Sequence, residues 1–553
     1  MTSSSGKLRI GVMLDGTVVP NWIYSILAEI SASKDCELSL AILNEAEKAK
    51  GTFWQKLRNW REYPFAAYAR IDSKFFSHRV PLDAFAPTDA AQLLKNTDCM
   101  WVTPLRKKFV DRFSGDDLNA VRSFNLDVML RFGFRIIKGD ILKVAKFGVW
   151  SFHHGDNDFY RGGPALFWEI YENNPVSGTM LQILNEDLDG GRVIYKSFAS
   201  THGYSLYMNR NAAFWKTAAF ITRKLRALAE GGIEALESIP AAPDAKPRIY
   251  RTPKMGRVAL FSLRCATRLV AAQLDYRFLQ EQWFIAIAKR LSDSGTSSVP
   301  GHAPFKIVPM PPGRYYADPC AISVGGQDFL FFEDCALGVK KARISCTKID
   351  PSGQVGDITV VLEEPFHLSY PFVFELDGDY FMIPETSAAN SIRLYRATAF
   401  PTRWQFETTL ITSAKPVDAT LHYENGVFWI FANIPEPGAS RQDELHLFYS
   451  NALHGPWKAH PQNPIVSDVR HARPAGRLFV HNGRLLRPAQ NSSIRYGGSI
   501  VLNAVCELNP KSYKETRFED IGPEWLGNAV ATHTLSITAG IVATDGLKHR
   551  LKF

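Results

Sequence analysis

The sequence predicts two units in series, a doubly wound α/β unit in front and an all-β ring of short strands behind it. Three observations carry that expectation. Leu8 to Leu14 is an apolar run followed by Asp15-Gly16, then by Trp22, Ile23, Ile26, Leu27 and Ile30 at helical spacing, which is the strand–turn–helix opening of a parallel sheet. From about residue 280 the helical period disappears, and short apolar or aromatic runs alternate with Gly, Pro, Asn and Asp turns. Within that half a cycle of roughly fifty residues recurs, marked by ADP (317–319), SYP (369–371), VDAT (417–420), ARPAG (472–476) and RPAQ (487–490). Five such marks predict five blades about one axis.

A chain of 553 residues exceeds one ordinary domain. The texture divides it into an α/β unit at 1–239, a linker and helical segment at 240–280, and the ring at 281–553. Leu38 to Leu43, Met100 to Val102 and Val128 to Phe134 read as further strands, and 204–237 as a closing helix. Pro240 to Pro247 is a linker by composition. Residues 257–274 have an apolar helical pattern, with Arg264 and Arg268 in it and Arg277 just after, which suits a core-facing helix or a membrane-surface helix. Gln282 to Ala286 lies upstream of the first cycle and is placed to close the ring by joining the last blade.

The net charge of +9 is spread along the chain without a long basic run. It implies a mild preference for anionic partners such as a glutamate tail or a diphosphate, with no nucleic acid expected. Seven scattered cysteines show no CxxC spacing, so neither a zinc site nor a disulfide framework is predicted. No GxGxxG follows the first strand, which counts against a dinucleotide cofactor. The start, MTSSSGKLRIGVMLDG, lacks the apolar core of a signal peptide, and no run of about 18 apolar residues predicts a membrane span. A reducing cytoplasm is the expected location.

The chemistry concentrates at 147–191. An apolar run, Phe147 to Phe152, leads into His153 and a loop of His, Gly, Asp and Asn, and a second run, Gly178 to Leu184, leads to Leu188-Asp189-Gly190-Gly191. A histidine and an aspartate thus end two consecutive strands, where an α/β sheet places its chemistry. The histidine can shuttle a proton near neutrality, and a nearby carboxylate can fix its tautomer or relay that proton.

This stretch resembles the formyltransferases that use 10-formyltetrahydrofolate, whose pattern runs Asn-x-His, a loop, Tyr-Arg-Gly, a helix, Thr-Gly and Leu-Asp-x-Gly. His153 falls on the catalytic histidine, Tyr160-Arg161-Gly162 on the loop end, Ser177-Gly178 on the Thr-Gly and Asp189 on the catalytic aspartate. Two positions depart: Ser151 replaces the family asparagine, and His154 to Asp158 replaces a Pro-Ser-Leu-Leu-Pro loop. The resemblance implies a Rossmann-like formyltransferase domain with 10-formyltetrahydrofolate as co-substrate and a primary amine as acceptor, on an amino sugar or sugar nucleotide. Ser151, His153 and Asp189 would be catalytic. Leu130, Phe132, Gly133, His154, Tyr160, Arg161 and Gly162 would face the folate or the acceptor.

The second half resembles the five-bladed propellers of arabinanase- and xylosidase-type glycosidases, and more closely that of plant glucosamine inositolphosphorylceramide transferases. The matching phrases include YYADP (315–319), HLSYPFVF (367–374), PETS (384–387), GPWKAHPQNP (455–464), ARPAG (472–476) and RPAQNSSIRYG (487–497). By that resemblance Asp318, Glu385 and Asp418 are candidate inward carboxylates. Tyr370, Arg473, Arg487, Gln490 and Tyr496 complete the candidate pocket, with the two arginines on its rim and no metal. Glycan binding is the expected role. Another reading stays open, in which the propeller is a glycosidase or glycan-processing module and the front unit a degenerate scaffold. A non-catalytic carbohydrate-binding protein is a third.

Overall fold

Leu8–Leu14 is apolar apart from Arg9 and is buried from Ile10 onward, as a strand covered on both faces must be. In the computed structural model, which describes residues 6–45, 63–107, 109–187, 190–291 and 303–552, it is an interior strand of a seven-stranded sheet. The strands are β1 (Leu8–Leu14), β2 (Cys36–Asn44), β3 (Asp98–Val102), β4 (Val128–Arg131), β5 (Val149–His153), β6 (Val176–Ile183) and β7 (Arg192–Ser200). They lie in the order β7-β6-β5-β4-β1-β2-β3. Pairing is parallel from β5 through β3, and antiparallel from β5 to β6 and β7. The order reverses at β1, which has β2 on one side and β4 on the other, so this is a Rossmann-like sheet with its crevice at the carboxyl ends of β1, β4 and β5.

Two cores sandwich the sheet. On one face Trp22, Ile26 and Leu27 of helix α1 (Asn21–Ala32) meet Leu130, Trp150 and Leu181. On the other, Met13, Ile42, Met129 and Val149 pack with Leu118, Val121 and Ile141. Helix α2 (Phe167–Tyr171) follows the β5 loop. Helix α3 (Leu206–Gly231) closes the first core with Phe220, Ile221 and Leu225. Helix α4 (Met255–Phe278) comes last. No helix among the described residues is long and apolar enough to cross a membrane.

The chain divides into two compact units, Met1–Val270 with Glu436–Ser440, and Ala271–Pro435 with Arg441–Phe553. The second consists of four-stranded antiparallel sheets, each a blade. Four take their strands in sequence, starting at Arg314–Val324, Ser369–Leu376, Val417–Glu424 and Phe479–His481. The fifth is composite. Leu279–Lys289 pairs antiparallel with Ile541–Leu551 over its full 11 residues, from Leu279↔Leu551 to Lys289↔Ile541. The upstream strand therefore closes the ring with the last one, as the sequence predicts, and a closed ring leaves no long strand edge unpaired. The fold is an α/β Rossmann-like unit followed by a five-bladed propeller.

The recurring sequence marks have a structural cause. Asp318, Tyr370 and Asp418 have φ of 54°, 44° and 52°, each at a bulge in the first strand of its blade. Left-handed backbone at a non-glycine residue costs energy and persists where the surroundings hold it. Here it re-aims one residue toward the axis in each of these three blades.

Candidate functional site

The front site is built on strand register. Ser151 of β5 lies opposite Arg131 of β4 and opposite Gln182 of β6, so the three side chains form one row across three strands. His153, two residues beyond Ser151, shares its face. Arg131 Nη1 donates to Ser151 Oγ at 3.0 Å, while its Nε and Nη2 donate to the Arg135 carbonyl at 3.2 and 2.7 Å. The guanidinium is thus pinned beside the hydroxyl. A serine oxygen that accepts from a cation keeps its own proton to donate onward. Ser151 and Gln182 are buried, and Gln182 Oε1 has no hydrogen-bond partner among the described residues. The row floors a cleft of about 110 Å³ whose walls include Ile136, Lys138, Leu184 and Asp187.

His153 is buried, with Nε2 2.9 Å from the Tyr160 carbonyl. A carbonyl only accepts, so the neutral ring carries its proton on Nε2 and Nδ1 is the basic nitrogen. The loop behind it is held by Lys196, which pairs with Asp156 at 2.7 Å and Asp158 at 2.6 Å. It also packs directly on β6: a methyl group on Gly178 would lie 2.8 Å from Asp156 Cβ, so this close approach requires glycine at the second position of Ser177-Gly178. Asp189 lies outside the described residues.

The other front residues predicted from sequence have these places. Leu130 is fully buried in the core. The backbone N–H groups of Phe132 and Gly133 donate to the Met13 carbonyl at 3.0 and 2.8 Å, which ties them to β1. Tyr160 stacks on Tyr250 with ring centroids 5.5 Å apart, and Arg161 Nε donates to the Asn157 carbonyl at 3.0 Å. Gly162 pairs with Tyr250 in a short parallel ladder. His154 stacks on Phe214 at 3.6 Å with Nε2 3.2 Å from Thr217 Oγ1, and burial, with His153 and Arg210 adding, lowers its pKa to about 3. It is a neutral packing residue at the edge of the aromatic cluster formed by Trp22, Phe152 and Phe214.

In the propeller, the structure brings Asp318, Tyr370, Glu385, Asp418, Arg473 and Gln490 together near the axis. Arg473 donates through Nε to Asp418 Oδ2 at 2.5 Å and through Nη2 to Oδ1 at 3.1 Å, and lies 3.7 Å from Glu385. Gln490 donates to the same Asp418 oxygen at 3.1 Å. Tyr496, 41% exposed, stacks on the Arg473 guanidinium at 4.9 Å and is the part of this set that faces solvent. Arg487 is elsewhere: it is fully buried inside the fourth blade, where Nη2 and Nε meet the two oxygens of Glu515 at 2.7 Å each. Arg473 is likewise buried, so neither arginine forms an exposed rim.

Two axial groups escaped the sequence reading. His533 Nε2 lies 3.1 Å from Asp318 Oδ1 and its Nδ1 lies 2.9 Å from Asp545 Oδ1, all three buried. Burial alone would depress the His533 pKa, but Asp545 and Asp318 raise it to about 10. Burial pushes Asp318 up, and His533 and Arg473 more than offset it, leaving Asp318 below the usual carboxylate range. These three offer ligand atoms within 4.8 Å of one another, a spacing that suits a metal ion, and His533 would have to release its proton to bind one. Glu385 is pushed well above the carboxylate range by burial, with Asp418 adding and Arg473 opposing. Since His533 and Asp545 come from the last blade, outside the recurring marks, only the closed ring reveals them.

Residues 308–521 match the family model described as glucosamine inositolphosphorylceramide transferase 1, N-terminal. Over 209 residues the chain is 37% identical to glucosamine inositolphosphorylceramide transferase 1 of Oryza sativa subsp. japonica, a match covering 37% of this chain and 28% of that protein. The chain therefore spans 28% of the length of this relative. Over 80 residues it is 29% identical to methionyl-tRNA formyltransferase of Prochlorococcus marinus, covering 14% of this chain and 24% of that one. A similar solved structure is the N-formyltransferase from Helicobacter canadensis in complex with folinic acid and dTDP-3-aminofucose, at 11% identity and a TM-score of 0.28, covering 47% of this chain and 80% of that one.

Proposed function

We propose that the front unit transfers a formyl group to a primary amine on a sugar-related acceptor, and that the propeller binds a glycan. The observation that carries the first part is the row Arg131–Ser151–Gln182 with His153 beside it, at the carboxyl end of the sheet. 10-Formyltetrahydrofolate would supply the formyl group. Gln182 fits a folate ring, because its buried Oε1, without a partner among the described residues, can accept from a heterocyclic N–H. Ser151, backed by the Arg131 cation, donates toward the formyl oxygen as negative charge develops there. This pair would replace the asparagine amide of the resembled family: the hydroxyl is shorter, and the guanidinium behind it supplies the charge. His153 takes up a proton at Nδ1. In balance, the acceptor nitrogen bonds to the formyl carbon, the folate nitrogen leaves, and one proton passes from the first nitrogen to the second. A direct test is calorimetric binding of a stable formyl-folate analogue to the full chain. Binding that weakens at least tenfold in Gln182→Leu and Arg131→Ala is expected, and binding unaffected by both would exclude this cleft as the folate site.

The similarity of residues 308–521 to glucosamine inositolphosphorylceramide transferase 1 supports a sugar ligand at the propeller. Binding is favoured over hydrolysis because Asp318 and Asp418 are engaged by His533 and Arg473 and are closed from solvent. Tyr496 and the half-buried Trp283, 6.2 Å apart, supply an aromatic surface at the opening. Tyr496→Ala should weaken glycan binding, and release of reducing sugar by the wild-type protein would overturn the binding reading.

A further inference from the structure

Glu169 sits on α2 between Trp168 and Ile170, 1% exposed, and its Oε1 has no hydrogen-bond partner among the described residues. A buried carboxylate oxygen is costly to leave unmatched, so its position calls for a reason. Gly155 shows what it faces. A methyl group on that glycine would lie 3.0 Å from His153 Nε2, 3.0 Å from the Tyr160 carbonyl and 3.6 Å from Glu169 Oε1. The missing side chain keeps these three atoms around one small space. The charged and titratable groups that face Glu169 are His153 of β5, Asp156 and Tyr160 of the following loop, Glu172 of its own helix and Arg210 of α3. Burial pushes the Glu169 carboxyl up to about 7; its own backbone N–H and His153 pull against that, and Asp156 and Glu172 add to it.

We propose that Glu169 is a positioning residue that acts through His153, supplying the negative charge that stabilises the imidazolium when the ring takes up a proton. This rests on the reading of His153 as the acid–base group of the front site. A carboxylate facing an imidazole across so small a space favours its protonated form, and a pair coupled in this way titrates together. Glu169 itself touches neither donor nor acceptor. It lets His153 hold the proton released by the acceptor amine without exposing the ring to water.

The test uses the full chain labelled with ¹³C at histidine Cε1, with the His153 resonance assigned through His153→Gln. In the wild type that resonance should titrate in two steps. Glu169→Gln should reduce it to one step and lower its midpoint by about one pH unit or more. Glu169→Asp, which keeps the charge, should retain the higher midpoint, and the acidic limb of the kcat/KM profile should follow the same shifts. An unchanged midpoint in Glu169→Gln overturns the proposal. So does a single-step titration of the wild type, which decides the matter if the glutamine variant does not fold. A midpoint that still moves in a protein that forms no formylated product would uphold the pairing and remove the formyl-transfer reading.

Discussion

His153 is set by groups that follow it in the chain: the Tyr160 carbonyl fixes its tautomer, and Gly155 leaves space that Glu169 also faces. His153→Ala should therefore lower formyl transfer by roughly 10²–10⁴-fold with the fold intact, measured as initial rate together with circular dichroism. Ser151→Ala should cost roughly 10²–10³-fold, the usual loss of one oxyanion donor. Ser151 and His153 were legible because a strand ending in a polar loop is visible locally. Arg131 and Glu169 were not, since each reaches the site across a sheet or from a helix whose neighbours are apolar. In the propeller His533 gives a second residue-scale prediction. Its folded pKa of about 10 exceeds the unfolded value, so its contribution is full below about pH 6.5 and is lost as pH rises through 10. His533→Gln should lower the melting temperature most at pH 6 and least near pH 10, with a cost of roughly 3–5 kcal/mol at the low end. A difference that grows with pH would contradict the ion-pair account.

At the scale of elements, the ring depends on the ladder between Leu279–Lys289 and Ile541–Leu551. Ile285, fully buried in that blade, anchors it, whereas Ile307 in the same blade is 51% exposed. Ile285→Ala should destabilise the propeller by roughly 2–5 kcal/mol and Ile307→Ala by less than about 0.5 kcal/mol, read from thermal melts. Equal effects would show that closure does not rest on this strand. The closing strand was legible because Trp283 to Ala286 is an apolar run standing outside the fifty-residue cycle, a position that only a composite blade explains. The marks ADP, SYP and VDAT were legible as repeats, but their cause, a left-handed residue at a bulge, depends on backbone angles that composition does not encode. The mark RPAQ misled for Arg487: an arginine two strands from the axis looks like an axial one when only spacing is read, and Glu515 claims it inside the blade.

At the scale of the whole molecule, the two units have separate cores, and residues 237–249 between the sheet and α4 are mostly exposed. Exposed linkers are cut first. Limited proteolysis should therefore cleave between 238 and 256, an exposed stretch inside the first unit, before it cuts the propeller, and calorimetry should resolve two unfolding transitions. First cleavage inside a blade would contradict that expectation. The fold class was legible because strand–turn–helix units and evenly spaced short strands leave different textures; the acceptor was not, because no single residue type specifies a sugar. The central claim, formyl transfer at His153, meets its most direct test in mass spectrometry of amino-sugar nucleotides incubated with the full chain and 10-formyltetrahydrofolate. The account predicts a formyl mass gain on the amine that disappears in His153→Ala. Equal formylation by the wild type and His153→Ala, or none by the wild type across nucleotide-linked and free amino sugars, would contradict it.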